Sequence, residues 1–188
     1  ARDLAGFRPV EREPVTGRFL GHEVATMPPP SSGAFVLAGL SRLKGEDGPD
    51  RYLRLGTAMR DMFALRATTL GDPAFAAVDL APLGIDNASL RLAEPPQTTS
   101  LSTMDAAGNA VTITYSNMNH SGVVVPGTGI VPNNQLLLFN PWEGTPNSLA
   151  GGKKPVSSMM PTLLFGADGR PSVAIGASGS TRIPTSVM

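Results

Sequence analysis

The sequence predicts an α+β fold, on three observations. Helix-type patterning is confined to the first part of the chain, two strand–loop–strand patterns follow it, and a helix begins at the far end. Hydrophobic residues make up 41% of the 188 residues and charged residues 16%, which supplies a core and argues against disorder. Lys+Arg and Asp+Glu are 15 each, so no basic field exists for nucleic acid. No apolar run approaches the roughly 20 residues of a membrane helix. The absence of cysteine excludes disulfides, thiolate catalysis and cysteine zinc sites. The start at Ala1-Arg2-Asp3-Leu4 reads as an internal cut, and Met188 falls where a new helix is getting under way.

Residues 1–26 mix charges with Pro and Gly and show little periodicity. Pro28-Pro29-Pro30 predicts a stiff extended arm. It leads into an apolar run from Ala34 to Leu40, with Ser31 or Ser32 as the expected N-cap. Arg51 to Ala67 is the clearest amphipathic helix, with Tyr52, Leu55, Met59, Met62, Phe63 and Arg66 at helical spacing. This Met and aromatic stripe reads as core, and Gly71-Asp72-Pro73 ends the helix. Residues 81–97 carry Pro82, Gly84, Pro95 and Pro96 and read as a surface linker.

The texture changes at Thr98. Thr99 to Met104 and Ala110 to Asn117 read as strands joined by an Asp105–Asn109 loop, and 162–165 with 172–175 as a second hairpin. A glycine-rich stretch, 122–129, and the polar Asn133-Asn134-Gln135 lie between them. That stretch lacks the Gly-Lys-Ser/Thr ending of a phosphate-binding loop, and no cluster has metal-ligand spacing. His22 and His120 have no motif around them and read as bystanders.

One mechanism needs no histidine. An N-terminal threonine uses its own α-amine as base, and a free α-amine has a pKa of about 7.7–8.0. While Thr98 is joined to Gln97 its nitrogen is a non-basic amide, so cleavage there would switch the site on.

Thr98-Thr99-Ser100-Leu101-Ser102-Thr103-Met104-Asp105, followed by Gly108-Asn109-Ala110-Val111, is similar to the small-subunit start of γ-glutamyltranspeptidases. Further blocks resemble that family in order: Gly129-Ile130 with Asn133-Asn134-Gln135, Lys154 to Thr162, and Gly176 to Ile183. Upstream, Met27 to Gly33 and Leu70 to Phe75 resemble the end of its large subunit. The resemblance implies the N-terminal-nucleophile hydrolase αββα sandwich, incomplete in this chain, with 1–97 as large-subunit-like and 98–188 as small-subunit-like catalytic region. It implies Thr98 as nucleophile, Ser116 as the hydroxyl that bonds the nucleophile's amine, and Gly179 and Ser180 as oxyanion-hole donors. Asn117 or Asn119 would fill a substrate-contacting asparagine position. Gln135 would contact the substrate α-amine, and Ser157 and Ser158 would grip its carboxylate.

The pattern departs from the family in places. Ser100 stands where a histidine is usual, Leu138 where an acidic residue pairs with the substrate ammonium, and Ser180 at the second oxyanion glycine. The family's carboxylate-binding arginine lies in a part not present in this chain. The implied activity is γ-glutamyl transfer or hydrolysis without any cofactor. The alternatives are an acylase for other dicarboxylic-acid amides, or a catalytically silent relative serving as an interaction module. The implied partners are a small γ-glutamyl or related amide, the remainder of both subunits and, through an unpaired sheet edge, further copies of the chain. The resemblance points to the periplasm or cell surface.

Overall fold

The structure, a computed structural model, describes residues 5–43, 48–78 and 98–188. Its elements are strands and helices in an α+β arrangement: β1 (Val15–Phe19), β2 (His22–Thr26), α1 (Gly33–Leu40), α2 (Arg51–Thr69), β3 (Thr98–Met104), β4 (Ala110–Ser116), β5 (Thr162–Phe165), β6 (Pro171–Ile175) and α3 (Ile183–Val187). Short 3₁₀ turns span Gln135–Leu138 and Ser180–Arg182.

The order β1-β2-β5-β6 makes a four-stranded antiparallel sheet, while β3 and β4 form a separate hairpin. Strands from before and after position 98 therefore share one sheet. Thr26 pairs with Thr162 across β2 and β5, and their buried hydroxyls are 2.8 Å apart. The expected linker at 81–97 lies outside the described residues.

The β1–β2 hairpin corrects the reading of residues 1–26 as unpatterned. Leu20 and Gly21 both have positive φ, at 49° and 84°. Such a pair matches the right-handed twist of the flanking strands, but a leucine in the first position hides the usual Asn-Gly signal.

The triproline segment is also not an extended arm. It turns, with the Ser31 amide donating to the Pro28 carbonyl at 3.0 Å, and the chain enters α1 directly. Neither serine hydroxyl caps that helix, although Ser32 is its N-cap residue. Ser32 Oγ instead donates to the Ser157 carbonyl at 2.7 Å, and Ser31 Oγ donates to the Met159 carbonyl. The two serines fasten α1 to the 156–160 segment.

The core lies between α1, α2, α3 and that segment. Ala34, Phe35, Val36, Leu40, Met62, Leu65, Leu70, Val156, Met160 and Ile183 are its buried members. The buried residues of α2 begin at Ala58, so Tyr52, placed on the core stripe from spacing, is 69% exposed. The apolar face of the β3–β4 hairpin is open too: Leu101, Val111, Ile113 and Tyr115 are exposed.

Gly33 marks the tightest approach at the head of α1. A Cβ there would run into the Met27 carbonyl oxygen and lie 2.6 Å from Thr26 Cγ2. Gly33→Ala is expected to lower unfolding free energy by about 1–3 kcal/mol, measured by urea denaturation, because backbone must move to make room.

Candidate active site

The first cluster forms at the open end of the β3–β4 hairpin. Alternation along paired strands sets Thr98, the first residue of β3, opposite Ser116, the last of β4. Thr98 Oγ1 donates to Ser116 Oγ at 3.2 Å, and both residues are half-buried. Ser116 Oγ also accepts the Met118 amide at 3.0 Å. With two bonds accepted, the serine retains one proton to donate.

The polar Asn133-Asn134-Gln135 segment is tied to the same strand end. Gln135 Nε2 donates to the Ser116 carbonyl at 3.2 Å, and Asn134 Oδ1 accepts the Asn119 amide at 3.0 Å. The chain reverses between them through Met118 and His120, which have φ of 55° and 51°. The two candidate asparagines differ in state. Asn117 Oδ1 accepts from the Tyr115 hydroxyl at 3.1 Å, and its Nδ2 donates to the Val131 carbonyl at 3.5 Å. The Asn119 side chain is exposed.

The second cluster surrounds Ser157 and Ser158. The Ser157 amide donates to the Pro30 carbonyl at 2.9 Å, its carbonyl accepts from Ser32, and its Oγ accepts the Met159 amide at 3.1 Å. Ser158 Oγ accepts from Arg66 Nη2 at 3.2 Å. Arg66 Nε donates to Ser32 Oγ at 2.8 Å. Burial without a compensating charge lowers the Arg66 pKa to about 10, which leaves it cationic at neutral pH. Ser32 and Arg66 were not among the site residues that sequence reasoning chose. The available signal was a cation on an otherwise apolar helix stripe.

Ser158 and Arg66 line a cavity of about 320 Å³ with Leu70, Leu138, Phe139 and Thr181. The 3₁₀ turn 135–138 therefore joins the two clusters. Gln135, at its start, reaches the Ser116 carbonyl, and Leu138, at its end, faces the cavity.

The third component is the turn after β6. Gly176 lets this strand end pass against β3, since a Cβ there would collide with Ser100 Oγ and lie 3.1 Å from Thr114 Oγ1. Gly179 and Ser180 follow with φ of 121° and 54°. A left-handed serine is uncommon and marks a backbone set by its surroundings. The turn leads into a 3₁₀ segment and only then α3, rather than directly into a helix. Among the described residues no group of three His, Asp or Glu side chains could hold a metal ion.

Comparison with known proteins gives first the class and then the family. The structure superposes on the crystal structure of cephalosporin acylase from Bacillus halodurans with a TM-score of 0.82 and 30% identity, over 100% of this chain and 38% of that one. The fold is thus part of the N-terminal-nucleophile hydrolase α+β sandwich. The chain belongs to the γ-glutamyltranspeptidase family, whose sequence profile matches residues 1–188. It is 34% identical to the acylase ACY 1 proenzyme of Pseudomonas sp. strain SE83, over 96% of this chain and 37% of that protein. It is 33% identical to the glutathione hydrolase proenzyme of Escherichia coli K12, over 99% of this chain and 39% of that protein. The chain spans less than two fifths of the length of these relatives.

Proposed function

We propose that the intact protein is an amidohydrolase or acyltransferase that cleaves itself between Gln97 and Thr98 and then works through a Thr98 ester. Residues 1–97 would belong to its large subunit and 98–188 to its small subunit. The observation that carries this reading is the contact of Thr98 Oγ1 with Ser116 Oγ at 3.2 Å, at a strand end braced by Gln135. That two relatives are proenzymes supports a cleavage step.

After cleavage the Thr98 α-amine accepts the hydroxyl proton, and Oγ1 attacks the acyl carbonyl. Ser116 Oγ, with one proton left to donate, orients this pair. The tetrahedral oxyanion is held by the Gly179 and Ser180 amides, whose positions the left-handed turn fixes. The ammonium returns its proton to the leaving nitrogen as the C–N bond breaks, which leaves the ester. Water or an amine then attacks that ester, loses its proton to the α-amine and restores Thr98.

Two acyl classes fit, and one observation separates them. In the γ-glutamyl reading, Gln135 and Asn117 or Asn119 face the donor's ammonium end, and Ser157 and Ser158 its carboxylate. The wall beside Ser158, however, carries Leu138, which cannot pair with an ammonium. This favours acyl groups of dicarboxylic acids without the amine, and one relative is an acylase.

The test is acyl trapping. The intact protein mixed with a slow glutaryl ester, then acid-quenched and digested, is expected to yield a peptide beginning at Thr98 with one added glutaryl mass. Labelling elsewhere, with an unbroken 97–98 bond in fully active protein, would sink the reading.

A further inference from the structure

Arg66 lies in the second half of α2, only 7% exposed, among residues that are otherwise apolar. No carboxylate among the described residues pairs with it. Its two hydrogen bonds go to serine hydroxyls, through Nε to Ser32 and through Nη2 to Ser158. Neutral hydroxyls do not balance a buried cation, and an uncompensated buried charge is costly. A fold that needed only packing at this position would be better served by leucine or methionine.

The hydroxyl bonding gives the cation a direction. Ser32 Oγ accepts from Arg66 and passes its own proton to the Ser157 carbonyl at 2.7 Å, so the guanidinium plane is held from behind. Ser158 Oγ accepts from the other side of the fork, and its proton must point elsewhere. Both Arg66 and Ser158 line the 320 Å³ cavity, whose other walls combine Leu70, Leu138 and Val156 with the polar Asn140, Asn147 and Thr181. A largely apolar chamber that carries a cation and an oriented O–H in its wall matches an acyl chain that terminates in an anion.

We propose that Arg66 is a positioning and specificity-determining residue, which turns the Ser158 hydroxyl into the cavity and makes that end selective for a carboxylate on the acyl chain. The inference rests on the function proposed above, and it adds to the serine pair a residue on α2 that orients it. Arg66 touches no reacting atom; it acts through Ser158 and through its charge.

The test measures binding and needs no turnover. Calorimetry on the intact protein compares glutarate with neutral pentanamide. Glutarate is expected to bind at least about tenfold more tightly, because a charge-assisted pair is lost with the amide. Arg66→Gln and Ser158→Ala should each weaken glutarate by about 10- to 100-fold and leave pentanamide unchanged. Their double variant should lose less than the sum of the two, since one residue acts through the other. Arg66→Lys keeps the charge without the fork and should fall between parent and Arg66→Gln. With glutaryl anilide, Arg66→Gln should raise KM far more than it lowers kcat.

A folded Arg66→Gln that binds glutarate as tightly as the parent overturns the proposal. So does an equal loss for both ligands. Where Arg66→Gln fails to fold, Arg66→Lys decides by the same comparison, and glutarate binding equal to the parent's overturns the proposal. Glutarate selectivity in a protein that hydrolyses no anilide would leave this inference standing and remove the proposed reaction. Anilide hydrolysis without glutarate selectivity would remove this inference alone.

Discussion

Thr98→Ala in the intact protein is expected to give a single uncleaved chain and a loss of turnover of about 10⁴- to 10⁶-fold. Two effects combine. The hydroxyl that would attack the Gln97 carbonyl is gone, so no free amine is generated at position 98. The same hydroxyl is the acyl acceptor in turnover, and alanine leaves Ser116 Oγ without the bond it accepts at 3.2 Å. Intact-mass measurement separates one piece from two, and an anilide assay reads the rate. Thr98→Ser keeps the hydroxyl and should still cleave. The fold should not suffer, because Thr98 stands at a strand end rather than in the core around Phe35 and Met160. An alanine variant that still divides at 97–98, or that retains parental turnover, would remove Thr98 from both roles.

Much of the fold was legible in the sequence because local chemistry and tertiary packing agree there. The hairpin of β3 and β4 was readable from its alternation and its Asp105–Asn109 loop, where Asp105 accepts the Asn109 amide at 2.9 Å. The helix over Arg51–Thr69 and the hairpin of β5 and β6 were legible for the same reason. The β1–β2 hairpin was not. Its turn is Leu-Gly, and it joins the sheet through β2, which pairs with β5, 136 residues away at the Thr26–Thr162 pair. Only a tertiary partner makes that segment a strand.

The site divides as well. Thr98, Ser116, Asn119 and Gln135 are picked out by family resemblance and not by local physics, and the chain does bring their segments together. Ser32 and Arg66 carry local patterns, but each has a commonplace meaning. A serine before an apolar run reads as a cap, and Arg66 counts with the stripe of Met59 and Met62 that reads as core. Their actual partners are Ser157 and Ser158, more than ninety positions away in sequence, and no spacing rule connects them. The stripe of Met59, Met62 and Arg66 held the one usable clue, since a cation in register with core residues requires a partner.

Leu138→Asp in the intact protein is expected to shift kcat/KM toward γ-glutamyl anilides and away from glutaryl anilides. Leu138 lines the cavity with Ser158, so a carboxylate placed there reaches the region that would hold the donor's α-carbon substituents. In the parent, an ammonium entering beside leucine gives up water and gains no anion, and Gln135 can offer only one neutral acceptor. Aspartate restores a charge-assisted hydrogen bond worth roughly 1.5–3 kcal/mol, about one to two orders of magnitude in kcat/KM. The same aspartate competes for Arg66 and repels the carboxylate of either donor, but only the γ-glutamyl donor has an ammonium to repay it, so glutaryl anilide should lose ground as γ-glutamyl anilide gains. The two shifts have opposite sign, which a general disturbance of the site cannot produce. Asn140 lies on the same wall, but its Oδ1 already accepts the Trp142 amide at 3.0 Å and cannot replace the missing anion. Matched anilides assayed in parent and variant give the ratio directly. A strong γ-glutamyl preference in the parent, unchanged by aspartate, would show that position 138 does not face the donor's amine.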